Sequence, residues 1–251
     1  MTTQSQVTLI TVDLDDTVWP CAPVIRNAEA ALFDWLGRQA SRLTAAHDMN
    51  SMRAHRQVIM EQQPHIAHDL TTLRITSLRS LLQEFGYPLE LAEQAMTVFL
   101  EARNRVTPFP DVAPALKMLG CKYCVASLTN GNADVQLTPL KDHFHFSLAA
   151  AQVGAPKPAP DLFQLALERC GVEPKQAVHV GDDPELDILA ARPLGMRTVW
   201  VNRTASRWPG HLPPPDVSVT NFYELDRWLA AGCQASNDGD HASASRALRA
   251  L

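Results

Sequence analysis

Residues 8–17, TLITVDLDDT, decide how the rest of the chain is read. The β-branched and apolar run from Thr8 to Val12 leads straight into Asp13, Asp15, Asp16 and Thr17. An unbroken apolar run, without polar alternation, marks a strand covered on both faces, as in a parallel sheet. Such a strand delivers the residues that follow it to the carboxyl edge of the sheet, where open α/β sheets bind ligands. The segment therefore predicts both a fold class and the edge on which to look for chemistry.

Working outward, similar runs recur at 123–128, 177–180 and 198–201, with a weaker one at 217–219. Helical patterns at 112–119, 161–170 and 186–191 lie between them. Alternating strand and helix predicts an α/β protein with a doubly wound, Rossmann-like parallel sheet. The alternation is interrupted after Pro20. Residues 25–46, 70–85 and 89–105 are helical by composition, with Leu78, Leu81, Leu82 and Phe85 on one face. The expected division is an α/β core of residues 1–20 and 107–232, an all-helical insertion of residues 21–106, and a flexible Ala- and Ser-rich tail of residues 233–251. A chain of 251 residues accommodates this arrangement, since about 150 residues per domain gives between one and two domains.

Composition excludes several classes. With 22 Lys+Arg against 27 Asp+Glu, the net charge is −5, which argues against a nucleic-acid partner. No apolar run reaches the length of a membrane span. The polar residues 1–7 do not read as a signal peptide, so a reducing cytoplasm is the expected location. Of the five cysteines, only Cys121 and Cys124 have metal or redox spacing, and they lack the second pair that a zinc site needs. All five read as structural thiols, and no protein partner is implied.

The residues directly after each apolar run carry the chemistry. The first run delivers Asp13, Asp15, Asp16 and Thr17; the second delivers Thr129, Asn130 and Gly131. A later loop carries Lys157, and the run ending at Val180 delivers Gly181, Asp182 and Asp183, with Asp187 one helical turn on. Carboxylates crowded on one sheet edge call for a hard divalent cation, and Mg²⁺ suits oxygen ligands shared with a phosphate. An aspartate is a competent nucleophile toward phosphorus, and a second one two residues away can exchange protons with the leaving group. A lysine and a hydroxyl can neutralise phosphoryl oxygens.

These four segments, Asp13-Leu-Asp15-Asp-Thr17, Thr129-Asn-Gly131, Lys157-Pro and Gly181-Asp182-Asp183-Pro-Glu-Leu-Asp187, resemble the four motifs of the haloacid dehalogenase superfamily. The helical insertion resembles its C1 cap class. The resemblance implies Asp13 as nucleophile, Asp15 as general acid/base, Thr129 and Lys157 as catalytic groups, and Thr129, Asn130, Gly131 and Lys157 around the phosphoryl group. It further implies Mg²⁺ held by the Asp13 carboxylate, the Asp15 backbone carbonyl, Asp182 and Asp187, the last directly or through water. Asp183, followed by proline, reads equally as a helix N-cap or as a helper of the metal site. Asp16 stands where the family commonly has glycine. The dehalogenase branch lacks an acid at the position of Asp15, so the resemblance implies a phosphatase.

The cap stretch His68-Asp-Leu-Thr-Thr-Leu-Arg74, with Leu128-Thr-Asn-Gly-Asn132 and His179-Val-Gly-Asp-Asp183, resembles a bacterial subgroup acting in riboflavin synthesis. The implied substrate is a small phosphorylated metabolite, such as 5-amino-6-(5-phospho-D-ribitylamino)uracil or FMN. Trp19, His65, His68 and Arg74 are the specificity candidates, each weighed against packing or solvated helix junctions. Arg103 and Asn104 read as hinge or phosphate-side residues, and His179 as a satisfied core histidine. Alternatives on the same residues are a promiscuous sugar-phosphate or nucleotide phosphatase and a phosphosugar mutase. A non-enzymatic phospho-accepting signalling or binding module is disfavoured by Asp15, because such a module must keep its phosphoryl group.

Overall fold

The computed structural model describes residues 6–233, so the expected tail lies outside the described residues except for Cys233. Six strands, β1 (Leu9–Val12), β2 (Cys124–Thr129), β3 (Phe146–Ala149), β4 (Ala177–Gly181), β5 (Arg197–Val201) and β6 (Val217–Val219), form one sheet. All pairings are parallel, in the order β3-β2-β1-β4-β5-β6. The strand order turns back between β1 and β4, and a crevice opens at such a switch point. Asp13 leaves β1 on one side of that crevice and Asp182 leaves β4 on the other.

β1 and β4 are buried at every position, as their apolar sequences require. One face of the sheet is covered by α6 (Val112–Gly120) and α9 (Phe222–Ala230), packed on Ile10, Val12, Val178 and Val180. The other face carries α7 (Ala150–Val153) and α8 (Asp161–Cys170), packed on Leu9, Ala126 and Leu128. The doubly wound architecture is the one the alternating pattern predicts. β3 and α9 have no counterpart in that pattern. β3 is only four residues long and half-buried over Phe146 and Ser147, which leaves it without a continuous apolar signature.

Between β1 and β2 lie α1 (Cys21–Gln39), α2 (Ser41–Ala46), α3 (Met49–Gln62), α4 (Leu70–Glu84) and α5 (Leu91–Arg103). Their buried residues, among them Leu36, Leu43, Leu78, Leu81, Leu82, Met96 and Phe99, form a cluster separate from the two that cover the sheet. The apolar repeat at 70–85 matches α4, which Asp69 caps by accepting from the Thr71 and Thr72 amides. α3 carries no such repeat, since only Met52 and Ile59 are buried along its 14 residues. The pattern at 186–191 differs from expectation as well. A wide π-type turn spans Pro184–Leu189, with the Ile188 amide reaching back to the Asp183 carbonyl at 3.3 Å.

Among the described residues no helix is long and apolar enough to cross a membrane. All five cysteines are free, and the near neighbour of Cys124 is Cys170, with Sγ atoms 3.1 Å apart. Leu82 is fully buried among α1, α4 and α5. Leu82→Ala is expected to destabilise the protein by about 2–5 kcal/mol, read as a lowered midpoint in urea unfolding. A loss under about 1 kcal/mol would mean that these helices do not share a packed core.

Candidate active site

At the carboxyl edge an open cavity of about 190 Å³ is lined by Asp13, Asp15, Thr129, Gly131, Lys157 and Asp182, among others. All four sequence segments singled out above contribute to it. At its centre is Lys157, almost fully buried, whose Nζ donates to Asp13 Oδ1 at 2.7 Å and to Asp187 Oδ1 at 2.5 Å. Burial alone would lower the lysine's pKa, but Asp13 and Asp187 outweigh it and hold the ammonium charged.

Asp187 is in turn fixed from behind. His179 Nε2 lies 3.1 Å from Oδ1, and the Asp183 amide donates to Oδ2 at 3.1 Å. The other ring nitrogen of His179 is 2.8 Å from Thr11 Oγ1. Burial keeps the imidazole pKa below its ordinary value against the pull of Asp187. Neutral His179 therefore donates to Asp187 from Nε2 and accepts the Thr11 hydroxyl at Nδ1. The histidine is satisfied within the core, and it also orients Asp187. The carboxylate pKa of Asp187 falls despite burial, because Lys157 and His179 both favour the ionised form.

Asp13 and Asp182 are in the opposite situation. Burial raises Asp13 well above the ordinary range, and the charges of Asp187 and Asp182 add to this against the attraction of Lys157. Asp182 is pushed up to about 7, by burial first and then by Asp187, although Thr17 Oγ1 donates to its Oδ1 at 3.0 Å. Three carboxylates share one lysine. Oxygens of Asp13, Asp182 and Asp187 lie within 4.8 Å of one another, a spacing that can hold a metal ion. The donor set fits a hard cation, being all oxygen and short of positive charge. Both oxygens of Asp187 already accept protein donors, so Asp13 and Asp182 are the carboxylates with an oxygen to spare. Asp183 accepts from the Glu185 and Leu186 amides and serves as the N-cap of the Pro184–Leu189 turn.

Asp15 is gripped from two sides. Trp19 Nε1 donates to Oδ1 at 2.9 Å, and Arg103 Nη2, from the end of α5, donates to Oδ2 at 2.5 Å. Trp19, a specificity candidate weighed against packing, is fully buried, and its N–H holds Asp15. Arg103 is also buried, and its Nε and Nη1 have no partner among the described residues. A Cβ at position 131 would stand 2.7 Å from Asp15 Oδ2, so a side chain there would push that carboxylate aside. Position 181 is tighter still, with Asp187 Cγ 2.2 Å from where a Cβ would be. Asp16 takes a left-handed backbone at φ 61°, which explains how it stands in for glycine, and its carboxylate accepts the Cys21 amide.

Thr129 is buried with its Oγ1 accepting the Gly131 amide at 2.9 Å. The Asn130 side chain pairs twice with the Lys157 backbone, at 2.9 and 2.7 Å. That clasp holds the lysine loop against β2, and Asn130 also lines the cavity. From the helices before β2, Thr71 accepts from Asn132 Nδ2 at 3.2 Å, and Asn104 accepts the Asp134 amide. His65 is exposed and His68 half-buried at the α3–α4 junction, and neither lines this cavity. Arg74 is buried beside Glu29 and does not line this cavity. The grip of Trp19 and Arg103 on Asp15, and the cluster around Glu29, left no signal in the sequence.

The comparisons agree on one family. The description of a haloacid dehalogenase-like hydrolase matches residues 7–195. The 5-amino-6-(5-phospho-D-ribitylamino)uracil phosphatase of Escherichia coli is 32% identical over 78% of this chain and 84% of its own. The phosphoserine phosphatase of Thermus thermophilus is 31% identical over 86% of this chain and 97% of its own. A solved structure described as a 2-haloacid dehalogenase from Pseudomonas syringae superposes with a TM-score of 0.86 at 38% identity, covering 90% of this chain and all of its own.

The crowded carboxylates generate a pH prediction. Folding lifts Asp182 from its ordinary 3.8 to about 7, so its share of stability is complete below the lower value and lost as pH rises through the higher one. A cation that binds the ionised form restores it. Mg²⁺ should therefore raise the melting temperature more at about pH 8 than at about pH 5.5, since binding at low pH must first displace a proton. Asp182→Asn should remove most of the increase. An increase equal at both pH values and retained in the variant would place the ion elsewhere.

Proposed function

The chain belongs to the haloacid dehalogenase-like hydrolases, and from that premise we propose that it is a Mg²⁺-dependent phosphomonoesterase working through an aspartyl-phosphate. The observation that carries the reading is the placement of two aspartates of different kind on one cavity: Asp13 bound to Lys157, and Asp15 held by Trp19 and Arg103. Residues 21–106 are read as a cap over a core of residues 1–20 and 107–232.

Bound Mg²⁺ would draw charge from the phosphoryl oxygens and relieve the repulsion between Asp13 and Asp182. Lys157 fixes the Asp13 carboxylate by donating to Oδ1, and its charge favours an approaching phosphate. Asp13 then attacks phosphorus in line with the leaving oxygen. Asp15, in the acid role, gives a proton to the departing alkoxide. The same carboxylate, now ionised, takes a proton from the water that hydrolyses the aspartyl-phosphate. Thr129, Asn130 and Gly131, which line the cavity, surround the transferred group. His179 and Asp187 act through Lys157, as positioning residues.

For the substrate, the likeness to the E. coli phosphatase supports a small phosphorylated metabolite of the ribitylaminouracil type, FMN included, within a cytoplasmic riboflavin route. The likeness to a structure described as a dehalogenase supports a second reading. Asp15 weighs against it, because release of a halide needs no proton donor whereas an alkoxide does.

Asp13→Asn is expected to bring phosphate release from p-nitrophenyl phosphate below detection, and Asp15→Asn to slow it by about 10²–10⁴-fold, with both variants folded. Asp13→Asn retaining Mg²⁺-dependent turnover would overturn the nucleophile assignment. Wild-type protein should release no halide from 2-chloropropionate; halide release without phosphate release would establish the dehalogenase reading instead.

A further inference from the structure

Cys121 and Cys124 have redox spacing in the sequence, but Cys121 turns its Sγ to the Lys117 carbonyl, at 3.3 Å. Cys124 opens β2 and meets instead Cys170, the last residue of α8, with Sγ atoms 3.1 Å apart. Both are free thiols, half-buried, and both pack on the apolar cluster that joins α8 to the sheet. A disulfide bond is about 2.05 Å long, so a movement of about 1 Å would turn this contact into a covalent link. Oxidation of either sulfur would find its resolving partner already in place.

The position of the pair fixes what a bond there would do. β2 runs from Cys124 to Thr129, so about 17 Å of strand separates the sulfurs from the carboxyl edge. The two cysteines are 46 residues apart in the chain. The stretch between them carries Thr129, Asn130, Gly131 and Lys157, which are two of the four segments that build the carboxylate cavity. A link between its ends would close that stretch into a loop without entering the cavity. Such a link restricts the unfolded chain above all, and more so the longer the loop.

We propose that Cys124 and Cys170 are an oxidation site, closed to a disulfide by a hydroperoxide, and that the bond staples β2 to α8 and holds two site segments against unfolding. The Cys124 sulfur attacks the peroxide, the O–O bond breaks, and a sulfenic acid forms with release of water. The Cys170 sulfur then attacks that sulfur: the S–S bond forms, the S–O bond breaks, and the departing hydroxide leaves as water with the Cys170 proton. The two thiols lose two electrons, and one hydrogen peroxide becomes two waters. Burial first, and Cys124 next, push the Cys170 thiol up to about 12, so Cys170 is slow to meet an oxidant and takes the resolving place. A reducing thiol pool reopens the bond by exchange.

The full chain, treated with excess hydrogen peroxide, alkylated and digested, should yield the Cys124 and Cys170 peptides joined and two hydrogens lighter, and dithiothreitol should part them. The oxidised protein should melt about 5–10 °C higher than the reduced one, as a loop of this length implies. In Cys170→Ser the rise should vanish, and Cys124, left without a resolving thiol, should advance to the sulfinic or sulfonic acid. Neither readout depends on turnover, so the outcome is independent of the phosphatase reading, and the wild-type digest carries the test if the variant does not fold. Cys124 and Cys170 both open to alkylation after peroxide has oxidised the exposed Cys121 would overturn the proposal, as would Cys124 joined to Cys121 instead. A joined pair with no rise in melting temperature would overturn the staple.

Discussion

The buried ammonium of Lys157, shared between Asp13 and Asp187, is the contact on which the site depends. It joins the end of β1 to the turn after β4 across the switch point of the sheet, and the Asn130 clasp ties its loop to β2. Removing one charge from such a cluster leaves the others buried and uncompensated, which is far costlier than never assembling it. The chain Thr11–His179–Asp187–Lys157–Asp13 consequently behaves as one unit: each member's orientation and protonation depend on the next. Its remaining imbalance is negative, and this is the physical reason for expecting a divalent cation.

The helices between β1 and β2 reach this unit through few contacts. Arg103 holds Asp15, Thr71 meets Asn132, and Asn104 receives the Asp134 amide. Asp15 is therefore a point where the helical insertion and the sheet edge meet. Movement of α5 relative to the sheet would move Asp15, or free it, without disturbing Asp13. Asp13, Thr129, Lys157 and Asp182 are carried by the sheet edge, while α5 brings Arg103 to it.

Much of this was legible because a parallel sheet converts sequence adjacency into spatial convergence. Each polar residue that directly follows an apolar run ends on the same edge, so Asp13, Thr129 and Asp182 could be grouped without coordinates. Elements without an apolar signature were not legible. β3 and α3 bury too few of their residues to show a period, and their places come from neighbours that cover them. Side-chain roles that run against type were missed as well. Trp19 reads as a specificity candidate or a packing residue, and nothing local marks its N–H as the donor to Asp15. An arginine is read by default as solvated, and nothing in the string marks Arg74 or Arg103 as buried.

The sequence by itself determined the alternation that makes the sheet, the four segments that supply the site, and the family to which they belong, because backbone periodicity and strand-end placement are local properties. Tertiary structure alone decided who holds whom. That Asp187 is spent on Lys157 and His179, that Asp15 answers to Trp19 and Arg103, and that Arg74 lies buried over Phe99 all depend on distances between residues far apart in the chain. Those distances are set by packing, which leaves no trace in local pattern.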